Sequence, residues 1–251
     1  EFNTLIDRKA ETDRITDALH RDDTQFIVIY GRRRIGKSTL IKHIVNARKQ
    51  AVYFLSDTSV EAVQRAAFSK SVAMVIDGFD KVVYPDWESL FRSMNNQLSE
   101  RIIVCIDEFP YLVKSCDVLP SVIQKLLNEK KLKFDLILCG SSQQLMHGYV
   151  LNRQSPLYGL ANEIIKMRPI PARYIGEAME CDAVQAVEEF AVWGGVPRYW
   201  ELRRDYPDIE TAIRKVLLDP QGPLIEEPQR LLRDDMRDTI QASTLLTIIG
   251  N

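Results

Sequence analysis

The segment GRRRIGKST, residues 31–39, has the residue types and spacing of a loop that binds phosphate groups. It matches the pattern G-x-x-x-x-G-K-[ST], whose glycines let the backbone curl around an anion without Cβ clashes. In this pattern Lys37 brings a flexible positive charge to the β- and γ-phosphates of a nucleotide, and the Ser38 hydroxyl binds Mg²⁺. The candidate nucleotide-binding residues of the loop are Gly31, Arg32, Arg33, Arg34, Ile35, Gly36, Lys37, Ser38 and Thr39.

The residues on either side of this loop give it the context that phosphate binding requires. Free backbone N–H groups and the positive end of the helix dipole meet where a strand ends and a helix begins. The apolar run 25–31 predicts a buried strand, and residues 38–49 predict the helix that follows it. The position of the loop, between a predicted strand and a predicted helix, therefore favours a phosphate-binding site over a chance match to the pattern.

An independent acidic motif lies further along the chain, at the end of the apolar run IIVCIDEF, residues 102–109. We expect Asp107 to hold the Mg²⁺ shell through Ser38 and water. Glu108 is the candidate that orients and polarises an attacking water, because phosphoryl transfer depends mainly on positioning and charge stabilisation. The two motifs together indicate a nucleotide hydrolase.

A third polar element follows the apolar run LILCG, residues 136–140. We expect a polar residue from a strand between the two motif strands to contact the γ-phosphate or the water, and Ser141 is the catalytic candidate, with Ser142 as the alternate. The other interpretation is that these serines cap the following helix. The three loop arginines have three interpretations: they reach phosphates, they are solvated and pair with acidic neighbours, or they contact a partner.

The apolar pattern of the rest of the chain predicts a parallel α/β core followed by helices. Continuous apolar strands separated by helices are typical of a parallel sheet that is covered on both faces. Residues 72–85 have no clear pattern, whereas Asp86 is a plausible helix cap. Strands are predicted at 25–31, 51–57, 101–109, 134–142 and 162–170. After about Pro171, helices are predicted near 175–193, 208–218 and 226–249.

Composition excludes several classes of protein. A net charge of −2 gives no global basic field for nucleic-acid binding. No apolar run reaches the roughly 18–20 residues of a membrane span, and the N-terminal residues lack the order of a secretory signal. The four cysteines form no C-x-x-C pair and the three histidines have no metal-ligand spacing. These features predict a cytoplasmic protein with reduced thiols and no membrane partner.

With these motifs in place, the chain resembles the archaeal-type ATPase family, a branch of P-loop NTPases similar to STAND signalling ATPases and AAA+ proteins. GRRRIGKSTLI resembles the phosphate loop of that family, and IDEFPYL resembles its Walker B segment. SPLYGL at 155–160 and WGGVPRYW at 193–200 are two more specific stretches of the same kind. LIDRKAETDRI at 5–15 is similar to the segment that opens the domain, where Arg8 borders the nucleotide.

The resemblance implies an α/β fold with a five-stranded parallel P-loop NTPase core of the ASCE type and a C-terminal helical lid subdomain. The implied division is a core at 1–171 and a lid at 172–251, leading into a winged-helix domain absent from this chain. It also implies that Pro197 packs near the adenine, with Gly195 providing the turn; a simple helix-breaking turn is the other interpretation. The preference for ATP over GTP follows only from the resemblance.

The sequence departs from the family at one position. Members often place an arginine directly after PLYG, whereas this chain has Leu160 and Ala161 there. If that arginine stabilises the γ-phosphate, hydrolysis here is slow or relies on Arg153 or another arginine. The departure concerns turnover and leaves nucleotide binding unaffected.

The leading hypothesis is an Mg²⁺-dependent ATPase whose nucleotide state switches the lid. One alternative is a regulator that binds ATP and hydrolyses it only with a protein partner or a second copy of itself. Another is a nucleic-acid-associated motor, which would bind nucleic acid through the missing C-terminal domain. The basic clusters NEKKLK and ELRRD are the residues that support this alternative. A P-loop kinase is the remaining enzyme alternative, which the adjacent acidic pair and the long helical tail disfavour.

Overall fold

A parallel sheet of five strands lies at the centre of the structure, a computed structural model that describes residues 5–48 and 50–235, together with residues 244 and 248. Each strand is a short run of apolar residues, and three of the strands are almost wholly buried because helices cover both faces of the sheet. The strands are β1 (Phe26–Tyr30), β2 (Ala51–Leu55), β3 (Ile102–Asp107), β4 (Phe134–Gly140) and β5 (Glu163–Lys166).

The strand order across the sheet is β2-β3-β4-β1-β5, and every neighbouring pair is parallel. Strand β4 therefore lies between β1, which precedes the phosphate loop, and β3, which ends at Asp107. Because all the strands are parallel, their carboxyl ends meet at one edge of the sheet. This order confirms the predicted five-stranded core with an inserted strand.

Helices pack on both faces of the sheet and also form a separate group after β5. The helices are α1 (Lys9–Leu19), α2 (Lys37–Asn46), α3 (Glu61–Ala73), α4 (Trp87–Gln97), α5 (Phe109–Ser115), α6 (Leu119–Asn128), α7 (Gln143–Met146), α8 (Ile175–Met179), α9 (Ala183–Trp193), α10 (Pro197–Arg204), α11 (Ile209–Ala212) and α12 (Glu227–Asp235). One face of the sheet carries the apolar cluster of α1 and α2, and the other carries the cluster of α3, α4, α5 and α6.

The helices after β5 form the C-terminal lid around their own apolar core. Trp193 and Trp200 are both almost completely buried in it, and the Trp200 indole donates to the carbonyl of Gly194 at 2.6 Å. The Gly-Gly-Val-Pro stretch ends α9 and starts α10, with Pro197 in the first turn, where its missing N–H costs nothing. This stretch places α10 next to the carboxyl edge of the sheet.

Several predicted helices differ from the structure. The prediction of one helix over 175–193 is wrong: Glu180 adopts a left-handed conformation (φ 53°) that ends α8, and a capping box at Asp182 starts α9. Helices α5 and α10 were not predicted. The predicted helix 226–249 is described as α12 and at residues 244 and 248, which are helical, and its other residues lie outside the described part of the chain. The Asp86 cap is confirmed, since its carboxylate accepts from the Ser89 N–H at 2.7 Å.

All four cysteines are free thiols in the structure. Burial raises the pKa of the Cys105 and Cys139 thiols well above the ordinary value, because both lie in central strands. Across the described part of the chain, no helix combines the length and the apolar character that crossing a membrane requires.

Candidate nucleotide-binding site

The phosphate-loop segment joins β1 to α2, and two of its positions require glycine. Gly31 has a φ of 153°, and a Cβ there would lie 2.5 Å from the carbonyl oxygen of Met167. Gly36 has a φ of 90° and directly precedes the first turn of α2. The loop therefore keeps its curl only with these two glycines, and it presents the start of α2 to the carboxyl edge of the sheet.

Lys37 is folded back onto the loop that carries it. Its ammonium group donates to the carbonyl oxygens of Gly31 at 2.9 Å and Arg32 at 2.7 Å, and the residue is only 4% exposed. Burial lowers the pKa of Lys37, with the carboxylates of Glu108 and Asp107 acting in the opposite direction. A phosphate group near this ammonium would restore the preference for the charged form.

Asp107 is fully buried, and its carboxylate accepts hydrogen bonds from Ser38, Tyr53 and Glu108. The Ser38 hydroxyl donates to Oδ2 at 2.6 Å, and the Tyr53 hydroxyl donates to the same oxygen at 2.8 Å. The backbone N–H of Glu108 donates to Oδ1 at 2.9 Å. Ser38 and Asp107 therefore meet as the sequence predicts, whereas Tyr53 lies in β2 within no recognisable motif and could not be predicted.

Glu108 and Ser141 are brought together by the ends of β3 and β4. Ser141 donates to the Glu108 carboxylate through its hydroxyl and also, at 3.2 Å, through its backbone N–H. Ser142 performs the other predicted role, because its hydroxyl caps α7 by accepting from the Leu145 N–H at 3.3 Å. Ser142 is thus the serine that caps the helix, while the predicted contact of Ser141 with the γ-phosphate or the water stays a prediction.

A cavity of about 730 Å³ lies between the carboxyl edge of the sheet and α10 of the lid. Nine predicted site residues line it: Arg33, Arg34, Gly36, Lys37, Ser38, Thr39, Glu108, Ser141 and Pro197. Seven further lining residues were not predicted: Leu55, Ser56, Asp57, Thr58, Tyr111, Arg198 and Glu201. Gly31, Arg32 and Asp107 do not line the cavity and lie behind it, in contact with Lys37 or Ser38.

A smaller cavity of about 40 Å³ shares Gly36, Thr39 and Pro197 with the first, and it is also lined by Arg8 and Ile35. The Arg8 guanidinium is 4% exposed and donates to the carbonyl of Ile35 at 2.9 Å, so it braces the phosphate loop. The structure thus places Arg8, the loop and Pro197 around one small recess beside the main cavity.

The arginines have different surroundings. Arg34 adopts a positive φ of 67° and forms an ion pair at 2.8 Å with Glu227 of α12, and Arg33 donates to the Tyr111 hydroxyl at 2.5 Å. Arg153, the suggested substitute for the missing family arginine, is exposed and does not line the cavity. Arg198 of α10 does line it, so the lid supplies an arginine that sequence reasoning did not single out.

The oxygen donors at the cavity suit Mg²⁺ held mainly by phosphate and water. Ser38 supplies a hydroxyl, and Asp107 and Glu108 supply carboxylates, which are the ligand types that Mg²⁺ prefers. No group of three or more His, Cys, Asp or Glu residues that could hold a metal occurs among the described residues. The donor set therefore fits a nucleotide-bound Mg²⁺ and offers no cage made wholly of protein ligands.

Sequence comparisons place these features in a family context. Residues 5–179 match the family described as an ATPase domain predominantly from Archaea. An uncharacterized protein of Methanocaldococcus jannaschii is 34% identical over 200 residues, which are 78% of this chain. The matched part is 43% of that relative, so the chain spans less than half of its length.

Structural comparisons agree on the fold. The Thermotoga maritima RuvB Holliday junction branch migration motor superposes with a TM-score of 0.54 at 15% identity, over 93% of this chain and 79% of that one. The Aeropyrum pernix ORC1 protein, solved in complex with DNA, superposes with a TM-score of 0.53 at 17% identity, over 97% of this chain and 66% of that one. The Aeropyrum pernix ORC2 protein, in ADPNP–ADP complexes, superposes with a TM-score of 0.52 at 15% identity, over 94% of this chain and 66% of that one. The chain belongs to the family of P-loop ATPase domains found predominantly in Archaea.

Proposed function

We propose that the chain binds Mg²⁺-ATP in the cavity at the carboxyl edge of the sheet and hydrolyses it. The observation that carries the proposal is the convergence of Lys37, Ser38, Glu108 and Ser141 on one cavity of about 730 Å³. That volume lies within the range of roughly 300–1,000 Å³ typical of ligand sites. A phosphate cradle, a magnesium ligand and a water-orienting carboxylate are the groups that phosphoryl transfer to water requires.

The proposed roles follow from the contacts of each residue. Lys37 exchanges its two loop carbonyls for phosphate oxygens, and the N-terminus of α2 faces the same anion. Ser38 and Asp107 are the residues that would hold Mg²⁺, which neutralises developing phosphate charge when it is bound. Glu108 orients the attacking water, and Ser141 fixes the direction of the Glu108 carboxylate.

The nucleotide state is proposed to control the lid through two contacts. Arg34 of the phosphate loop pairs with Glu227, whose carboxylate also accepts from the Tyr199 hydroxyl of α10 at 2.8 Å. Pro197 and Arg198, at the start of α10, line the cavity itself. A change in the phosphate loop is therefore transmitted to α10 and α12, an ordered-to-open transition of the kind that nucleotide switches use.

The small recess beside the main cavity is the proposed position of the adenine ring. Its walls include Ile35 and Pro197, which offer apolar surface to a flat base. The recess holds about 40 Å³ and shares Pro197 of α10 with the main cavity, so a base seated there would contact the lid directly. Base binding and lid movement are then coupled, and the identity of the base rests on the family resemblance.

A second candidate function is a regulator that binds ATP and hydrolyses it only with a partner. It is favoured by the bonds that occupy the catalytic groups, since Glu108 is held by Ser141 and Lys37 by loop carbonyls. Arg153 also lies outside the cavity lining, so Arg198 is the lid arginine available within the chain. The DNA in the ORC1 structure makes nucleic acid one class of partner to test for this candidate.

The test is ATP binding by the purified chain, measured beside Lys37→Ala. We expect the variant to lose about a hundredfold in affinity, because a buried charge-assisted contact contributes about 3 kcal/mol. Lys9→Ala is the matched control, since Lys9 is exposed and pairs with Asp13 within α1. Unchanged affinity in Lys37→Ala would contradict the proposal, and single-turnover decay of bound ATP at low and high protein concentration separates the two candidates.

A further inference from the structure

We infer that Tyr53 is a positioning residue for magnesium, which orients the Asp107 carboxylate and so sets the Mg²⁺ affinity of the nucleotide-bound site. The inference rests on the proposed function, since it concerns the metal of the same cavity. It is carried by one contact: the Tyr53 hydroxyl donates to Oδ2 of Asp107 at 2.8 Å, beside the Ser38 hydroxyl at 2.6 Å. Neither of the two motifs contains this tyrosine.

The orientation of the Asp107 carboxylate depends on its donors. The torsion that turns a carboxylate is broad, so the aspartate alone does not fix its own plane. Glu108 N–H holds Oδ1 at 2.9 Å, while Ser38 and Tyr53 both hold Oδ2. Of these three donors Tyr53 is the one outside the two motif segments, and its removal leaves the Ser38 hydroxyl as the remaining one of the pair on Oδ2.

The position of Tyr53 is fixed by contacts of both its backbone and its ring. Strand β2 pairs in parallel with β3, and Tyr53 is opposite Cys105, two residues before Asp107. The ammonium group of Lys42 in α2 lies 5.5 Å from the centre of the Tyr53 ring. The hydroxyl therefore connects β2 with the start of α2 and the end of β3, the two elements that supply the magnesium ligands.

A fixed carboxylate also fixes the Ser38 hydroxyl. With its proton directed at Oδ2 of Asp107, Ser38 keeps its oxygen lone pairs for a metal ion. Mg²⁺ demands near-ideal octahedral geometry and gives up water reluctantly, so a small error in these oxygens weakens binding. Residues that orient ligands in this way typically change metal affinity by about 10- to 100-fold.

A purely structural role for Tyr53 makes a different prediction. If the hydroxyl only satisfies a buried acceptor, its loss lowers stability and changes nucleotide binding equally with and without Mg²⁺. A positioning role changes only the part of nucleotide binding that depends on Mg²⁺. Comparing nucleotide affinity in EDTA with affinity in Mg²⁺ therefore separates the two.

The experiment is a titration of free Mg²⁺ at a fixed concentration of a non-hydrolysable ATP analogue, with binding followed by a fluorescent label on the nucleotide. Tyr53→Phe keeps the ring and removes the hydroxyl. Tyr84→Phe is the matched control, because Tyr84 is buried in the core on the opposite face and its hydroxyl accepts from Ser93 at 3.4 Å. Affinity for the analogue in EDTA is measured for each protein.

For Tyr53→Phe we expect the Mg²⁺ concentration that gives half-maximal binding of the analogue to rise at least about tenfold. Its affinity for the analogue in EDTA should stay within about twofold of the parent. Tyr84→Phe should match the parent in both measurements. An unchanged Mg²⁺ midpoint in Tyr53→Phe, or an equal loss with and without Mg²⁺, overturns the inference and leaves the proposed function standing. A parent chain that binds no analogue in Mg²⁺ overturns the proposed function itself.

Discussion

The Glu108 carboxylate is held at both of its oxygens by a single neighbour, Ser141, across the ends of two adjacent strands. The Ser141 hydroxyl donates to Oε1, and its backbone N–H donates to Oε2 at 3.2 Å. The Glu108 backbone is itself in a left-handed conformation (φ 54°), and the Ser56 hydroxyl donates to its carbonyl at 2.5 Å. The direction of this carboxylate is thus set by Ser141 after β4, and the backbone that carries it is held by Ser56 after β2.

Removing the Ser141 hydroxyl should slow hydrolysis without affecting binding. In Ser141→Ala the Glu108 carboxylate keeps only the N–H contact, so it orients water less well. We expect kcat to fall about tenfold, less than the roughly 10²- to 10⁴-fold that a positioned proton acceptor itself contributes, with ATP affinity within about twofold of the parent. Steady-state phosphate release and nucleotide titration measure the two quantities.

Ser142→Ala is the matched control for that variant. Ser142 caps α7 and has no contact with Glu108, so its loss should lower the free energy of unfolding by about 1 kcal/mol. Its kcat should remain that of the parent. If the two variants slow turnover equally, the Glu108–Ser141 contact has no specific role in hydrolysis.

ATP affinity should depend on the protonation of Lys37. Burial lowers the pKa of Lys37 below 10.5. The ammonium form, which binds phosphate, is fully populated below the lowered pKa and is lost as the pH rises through it. We expect affinity measured from pH 7.5 upward to fall by up to about tenfold per pH unit above that pKa. Lys37→Met should bind weakly and show no such slope; a flat parent profile up to pH 10.5 would exclude this dependence.

The link between the phosphate loop and the lid should weaken in Glu227→Gln. The change removes the ion pair with Arg34 while keeping an acceptor for Tyr199. We expect ATP-induced protection of α10 amides from hydrogen exchange to fall about tenfold, which equals about 1.4 kcal/mol of coupling. Glu226→Gln is the neighbouring control, since Glu226 is exposed and pairs with Arg230 in the same segment. Full protection in Glu227→Gln would show that the lid responds by another route.

Arg198 should contribute to turnover, and Arg153 should not. Arg198 lines the cavity from α10 and pairs there with Glu201 at 2.8 Å, whereas Arg153 lies outside the lining. We expect Arg198→Ala to lower kcat by about 10- to 100-fold, less than the roughly thousandfold or greater effect of an arginine finger. Arg153→Ala should leave kcat unchanged; the reverse result would assign the missing family arginine to Arg153.

The core of the site was predictable because it depends on local rules. A glycine-rich turn between a strand and a helix, and an acidic pair at the end of an apolar strand, both place their side chains at the same edge of a parallel sheet. Ser141 followed from the same rule, since β4 ends at that edge too. The positions of these residues could be predicted from two features alone, where each strand ends and the parallel order of the strands.

The rest of the site depends on contacts between distant segments. Tyr53 reaches Asp107 through the register of β2 on β3, and Glu227 reaches Arg34 from near the end of the described chain. No motif marks either residue. The break between α8 and α9 was missed because the left-handed conformation falls on Glu180, a residue type that rarely adopts it.

The most direct test is phosphate release from Mg²⁺-ATP by the purified chain, with Glu108→Gln measured beside it. The glutamine keeps the size of the side chain and removes the charge that polarises water, so turnover should fall by about 10²- to 10⁴-fold. ATP affinity should stay within about threefold of the parent, because Lys37 and Ser38 are untouched. Equal turnover in the two proteins would contradict hydrolysis at this site.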